Sequence, residues 1–159
     1  MRRLHTFRRE QSIPRTPAEV FAFFADARNL EVLTPPWLGF QILTPGPIQI
    51  AAGARIKYRL GLHGIPLRWT TEIRHWEPPL RFVDVQLSGP YQLWHHTHRF
   101  EACQAGTRMT DVVKYRLPFG AIGRALNSLA VRRDIERIFD YRFARINELF
   151  DGAGLANAK

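Results

Sequence analysis

At 159 residues, 45% hydrophobic and 23% charged, the chain has the size of one globular domain with a sizeable core. A single cysteine, Cys103, excludes an internal disulfide framework. No apolar run is long enough for a transmembrane segment, and Met1-Arg2-Arg3-Leu4-His5 lacks the apolar stretch of a signal peptide, so a soluble cytoplasmic protein is expected. The balance of 23 Lys and Arg against 14 Asp and Glu leaves a charge of +9 that needs a location.

In chain order, Leu4 to Ile13 reads as a strand. Thr16-Pro17-Ala18-Glu19 then opens a helix. Thr16 can cap it, Pro17 suits its first position, and Glu19 completes a capping box. Val20, Phe21, Phe23 and Phe24 supply the apolar face. Asp26 to Leu33 reads as a second short helix, stopped by Pro35-Pro36. Strands are expected over about 37–44, 54–62, 66–76, 80–87, 91–102 and 106–117. From 121 to 150 there is no proline, and Gly123 is the one glycine. Ile122, Leu126, Leu129, Ile135, Ile138, Phe139, Arg142, Ile146 and Leu149 recur there at helical spacing. That helix would be roughly 45 Å long. Gly152-Ala153-Gly154 opens a tail, so a single domain 1–151 followed by a flexible tail 152–159 is expected. The order is α+β: a strand, two helices, six strands in an antiparallel meander, and one long helix.

Turn lengths fix the register. A two-residue turn at His63-Gly64 sets Ile56 against Thr71, Tyr58 against Trp69 and Leu60 against Leu67. On the other face it sets Arg55 against Glu72 and Arg59 against Arg68. A four-residue loop over Glu77 to Leu80 sets Thr71 against Gln86, Ile73 against Asp84 and His75 against Phe82. A four-residue loop over Cys103 to Gly106 sets Phe100 against Met109, His98 against Asp111, His96 against Val113 and Trp94 against Tyr115. An odd number of residues, or a bulge, at Ser88-Gly89-Pro90 keeps the faces aligned. One inner face then carries Tyr58, Trp69, His75, Asp84, Gln86, Trp94, His96, His98, Asp111 and Tyr115. The outer face gathers Arg55, Lys57, Arg59, Arg68, Arg74, Arg81, Arg99, Arg108, Lys114 and Arg116 against Glu72 and Glu101, with Trp76, Tyr91 and His95 on the same side. A slip of one residue would bury several of these cations.

This order of elements resembles the helix-grip fold of the START and Bet v 1-like superfamily, which includes polyketide cyclase-like proteins. More narrowly, Phe82-x-Asp84-x-Gln86-x-x-Gly89-Pro90, Trp94-x-His96-x-His98-x-Phe100 and Asp111-x-Val113-x-Tyr115-x-x-Pro118 are similar to a bacterial ligand-binding branch of it. The resemblance spans essentially the whole chain. It implies a curved antiparallel sheet of about seven strands wrapped around the C-terminal helix, with a cavity between them.

The inner face is unusually polar for a sheet core. A carboxylate beside an imidazole raises the imidazole's pKa and fixes its tautomer, so His98 and Asp111 form a natural pair. Asp84, Gln86 and His96 lie on the same face among Tyr58, Trp69, Trp94 and Tyr115. Apolar walls with a few convergent polar groups suit a small hydrophobic or aromatic ligand with a polar end, and these nine residues are its candidate contacts. The same groups also fit a cyclase- or dehydratase-like enzyme, with His98 as acid or base, Asp111 orienting it, and Asp84 or His96 as the second group. A buried polar pair that only fixes register is the plainer alternative.

A metal held by His96, His98, Asp84 and Asp111 is the lesser reading, since Asp111 is more naturally a partner of an imidazole; no metal or cofactor is expected. Phosphate-binding glycine loops and nucleophile elbows are absent from the sequence. Arg142, on the apolar stripe of the long helix, could reach Asp84 or Asp111. The basic outer face has few aromatics on which bases could stack, so nucleic acid is set aside as a partner. A peripheral anionic surface stays open as an alternative partner, against a plainly solubilising face.

Overall fold

The computed structural model describes residues 3–118 and 121–151, the side chains of 121–128 excepted. The expected tail and the stripe residues Ile122 and Leu126 lie outside the described parts.

Strand β1 (His5–Ile13) leads into α1 (Pro17–Phe24). The capping box is present: Glu19 Oε2 accepts from the Thr16 backbone N–H at 2.8 Å while Thr16 Oγ1 accepts from the Glu19 N–H. Such a cap contributes about 1 kcal/mol. Helix α2 is shorter than expected, Asn29–Leu33, because Asp26 bridges to Gln49 instead of entering a helix. The strand expected at about 37–44 is reduced to β2 (Gln41–Ile42). Pro35-Pro36 starts a 3₁₀ turn over Pro36–Leu38, which Gly39 ends in a left-handed conformation.

The remaining strands are β3 (Arg55–Leu62), β4 (Ile65–Glu77), β5 (Arg81–Ser88), β6 (Leu93–Cys103) and β7 (Gly106–Arg116). The sheet order is β1-β7-β6-β5-β4-β3-β2, antiparallel throughout. Both the β3–β4 and β6–β7 registers are those predicted from the turns, including Tyr58 opposite Trp69 and His98 opposite Asp111. The parity required at Ser88-Gly89-Pro90 also holds, since Asp84 pairs with His96.

The β4–β5 hairpin departs from expectation at its tip. Glu77 pairs with Arg81, so the turn has three residues, and a one-residue bulge between Ile73 and His75 restores the register further down. The bulge exchanges two side chains. His75 pairs with Val83, not Phe82, and is exposed. Trp76 turns inward and packs on Phe21 and Phe82, with centroids 4.8 Å and 5.6 Å away. Large apolar area inside and imidazole outside is the favourable exchange.

Helix α3 (Ala121–Phe150) lies against the sheet. Gln11 on β1 ties the two together, donating to the Phe143 carbonyl at 2.9 Å and to Asn147 Oδ1 at 2.7 Å. Leu129, expected on the buried stripe, is 55% exposed. Two apolar clusters hold the fold. The larger, including Val20, Phe21, Phe82, Phe100, Met109 and Ile146, joins α1 and the end of α3 to the sheet. The smaller comprises Val113, Tyr115, Leu117, Ile135 and Phe139. Most of the expected outer-face cations are exposed on the opposite side of the sheet, which locates the excess charge.

Candidate functional site

Between the two clusters lies a polar one. Strand alternation and the matched registers of β5, β6 and β7 bring Asp84, His96, His98 and Asp111 to one face. Each imidazole bonds the carboxylate diagonal to it. His96 Nε2 stands 2.7 Å from Asp111 Oδ1, and His98 Nε2 stands 2.7 Å from Asp84 Oδ2. The directly opposed pairs are longer. His98 Nδ1 is 3.1 Å from Asp111 Oδ1 but outside hydrogen-bond geometry, and His96 Nδ1 is 3.6 Å from Asp84 Oδ2. The imidazoles lie against each other, centroids 3.7 Å apart and planes tilted by 35°. His98 also stacks on Phe82 at 3.9 Å, and His96 meets Phe139 edge-on at 5.5 Å. The four groups thus form a closed ring that bridges the two apolar clusters.

The ring divides its protons unequally. Burial lowers the His96 pKa, helped by the neighbouring His98, and keeps this imidazole neutral. Burial also opposes charge on His98, but the Asp111 and Asp84 carboxylates beside it outweigh that and raise its pKa. Both carboxyls suffer the same burial, yet the two imidazoles hold Asp84 and Asp111 ionised. Arg142 adds a weaker through-space contribution at Asp84. The expected direct pairing of Arg142 with Asp84 or Asp111 is not formed; Arg142 Nε is buried without a hydrogen-bond partner among the described residues.

A cavity of about 140 Å³ lies between the sheet and α3, beside this ring. Tyr58, Leu60, Leu67, Trp69, Tyr91 and Trp94 form its sheet-side wall with His96, and Ile135, Ile138, Phe139 and Arg142 its helix side. A smaller cavity of about 70 Å³ lies under α1 and α2, where Tyr58 and Asp84 meet Ile56, Ile73 and Phe82. Among the predicted contacts, Tyr58, Trp69, Trp94 and His96 therefore border the larger cavity, and Asp84, with Tyr58, the smaller. Gln86, His98, Asp111 and Tyr115 border neither. Gln86 is engaged by the Tyr91 backbone, donating to its carbonyl at 2.7 Å. Tyr115 stacks on His5 and borders a charged surface hollow beside β1.

Sequence reasoning placed Tyr91 on the outer face. It turns inward, its ring 4.8 Å from Trp94 and 5.5 Å from Trp69. It precedes β6, in the connection after Gly89-Pro90, where strand alternation does not apply. His95, expected on the outer face, is half-buried. The 3₁₀ turn brings Leu38 to the cavity, and helical spacing brings Ile138; neither carried a polar signal that singled it out. Asp84, His96 and His98 offer donor atoms within 4.8 Å of one another, so a metal would be held here if anywhere among the described residues. As arranged, His98 Nε2 is hydrogen-bonded to Asp84 and His96 Nε2 to Asp111.

The fold recurs in solved structures. TTHA0849 from Thermus thermophilus superposes with a TM-score of 0.70 at 20% identity, covering 94% of this chain and 100% of that one. CV1439 from Chromobacterium violaceum gives 0.72 at 13% identity, covering 94% and 99%. Ara h 8.0201 gives 0.64 at 16% identity, covering 94% and 99%. At these identities the likeness establishes the helix-grip, Bet v 1-like fold and not a ligand. No curated protein matches the sequence. Among the described residues, no helix is long and apolar enough to cross a membrane. The family model for polyketide cyclase / dehydrase and lipid transport matches residues 13–140, from the end of β1 through most of α3, and the chain belongs to that family.

Proposed function

We propose that the protein binds a small hydrophobic or aromatic molecule with a polar end, in the cavity between the sheet and α3. The observation that carries this reading is the composition of that cavity. Its walls are predominantly aromatic and aliphatic, with His96, Arg142 and Asp134 as the charged or titratable exceptions besides two tyrosines. Such walls reward apolar area and use few polar groups to orient it. A void of about 140 Å³ is close to the engineered cavity of about 150 Å³ that accepts benzene. One ring with a short substituent is the natural size.

The test is thermal denaturation with a series of one- and two-ring aromatics. A compound at a hundred times its Kd contributes about 2.7 kcal/mol. For a domain of this length, Tm should rise by roughly 5–10 °C. The rise should disappear in Ile138→Trp, which fills the cavity from α3. No rise with any compound, or an equal rise in the filled variant, would defeat the proposal.

An acid–base enzyme using the same cavity is the second reading. It is favoured by His96, which borders the cavity while Asp111 holds its Nε2 at 2.7 Å. In this reading His96 is the neutral base, Asp111 orients it, and His98, buried behind Phe82, sets the charge of the ring. Turnover of any demonstrated substrate would then vanish in His96→Gln with ligand affinity retained; turnover unaffected by that change excludes the role.

A further inference from the structure

The larger cavity contains an imbalance of hydrogen-bonding groups. Trp69 is 8% exposed, and its indole Nε1–H is buried without a hydrogen-bond partner among the described residues. The Arg142 Nε is in the same condition. Both side chains belong to the wall of this one cavity. Buried donors in native proteins are nearly always paired, so two orphans on one wall, with no partner among the described residues, point to a bound ligand.

The acceptors that could have served them are engaged elsewhere. Asp134, the carboxylate of this wall, meets His63 Nε2 at 2.8 Å, a contact that fastens the tip of the β3–β4 hairpin to α3. His96 is bound to Asp111. Asp84 and Asp111 do not border the cavity, and their carboxylates face the imidazoles. Tyr58 and Tyr91 add hydroxyls that burial keeps protonated well beyond neutral pH. Among the described residues the wall therefore offers two unpartnered N–H donors, hydroxyls that can donate, and one guanidinium without an ion pair. The smaller cavity has the opposite character, with Asp26 and Asp84 and no basic residue among the described residues of its lining.

We infer that the polar end of the ligand is anionic: the larger cavity takes a compact aromatic or apolar body bearing a carboxylate, with Arg142 and the Trp69 indole N–H as its anchors. This rests on the cavity reading above and adds the sign of the ligand's charge. A guanidinium suits a carboxylate because its N–H groups match the two oxygens. Arg142 is also held in place for the task, its guanidinium carbon 5.3 Å from the Phe139 ring centre. Its position on α3 lets the apolar body lie against Trp69, Trp94 and Ile138 while the charged end meets the helix.

The experiment is calorimetric titration at pH 7 with isosteric pairs: benzoate against benzamide, and 3-phenylpropanoate against 3-phenylpropanamide. Wild type should bind each carboxylate about ten-fold or more tightly than its amide. Arg142→Met, which keeps the apolar stem, should bring carboxylate and amide to similar affinity while leaving the amide nearly unchanged. Arg142→Lys should restore part of the preference. Equal binding of carboxylate and amide to wild type overturns the inference and leaves the cavity reading standing. So does an equal loss of both in Arg142→Met, provided its thermal unfolding matches wild type. Binding of neither member of either pair overturns both the inference and the cavity reading for ligands of this size.

Discussion

Removing Asp111 tests whether the four-residue ring behaves as a unit. Its carboxylate accepts from His96 at 2.7 Å and lies 3.1 Å from His98 Nδ1, and its side chain is 10% exposed. Solvent screening is therefore slight. Asp111→Ala leaves a buried imidazolium with one carboxylate where it had two, and a neutral imidazole with no acceptor. Breaking a buried charged pair by deleting one partner costs about 3–5 kcal/mol. At roughly 2–4 °C per kcal/mol for a domain of this length, Tm should fall by about 6–20 °C. Urea denaturation followed by tryptophan fluorescence gives the free energy directly, with the slope m unchanged. The cycle is completed by His96→Leu and the double variant. Because the double change removes donor and acceptor together, its loss should fall short of the sum of the singles by about 1 kcal/mol or more. A loss below about 1 kcal/mol for Asp111→Ala, or strict additivity, would refute the coupled ring.

The pH dependence of stability follows from the same groups. Asp84 and Asp111 titrate below their ordinary range when folded, so their contribution is complete above about pH 4 and is lost as pH falls through the folded values. His98 is raised, so its contribution is full below about pH 6.5 and fades as pH rises through its folded value; His96 is lowered, so it works in the other sense, weakening the fold as pH falls below about 6.5. The two act on opposite sides of the ordinary imidazole pKa, giving a Tm maximum near pH 6.5, and His96→Gln should remove its share of the loss on the acid side while the decline with rising pH remains. Tyr58 and Tyr91 are both raised by burial, so stability should fall above about pH 10, less steeply in the Tyr58→Phe variant. At the β4 bulge, Trp76→Ala should cost about 2–4 kcal/mol by denaturation, whereas His75→Ala should stay within about 0.5 kcal/mol. Comparable losses at both positions would place the bulge elsewhere.

The fold was legible because its evidence is periodic. Short turns at His63-Gly64 and Cys103–Gly106 leave little choice of register, and the cations that alternate through β3, β4, β6 and β7 forbid a slip. Bringing Asp84, His96, His98 and Asp111 to one face needed nothing more than that register. Which carboxylate each imidazole bonds was not legible, because rotamers choose the diagonal partner over the opposite one. Trp76 was misplaced because a bulge adds a residue without a turn signal, although its size beside an exposed imidazole hints at the exchange. Tyr91 was misplaced because alternation fails outside the strands. The cavity itself depends on how side-chain volumes pack between sheet and helix, a three-dimensional quantity with no one-dimensional trace.

The central claim, that the space between sheet and helix is a binding site, can be read from one resonance. Trp69 Nε1–H is a buried donor in the cavity wall with no partner among the described residues. In a ¹H–¹⁵N correlation spectrum, titration with 3-phenylpropanoate should shift the Trp69 indole signal and the amides of the wall from Asp134 to Arg142. Signals of Lys57, Arg99 and Lys114 on the opposite face should stay in place. Shifts confined to that basic face, or a Trp69 signal unmoved at saturating ligand, would contradict the account.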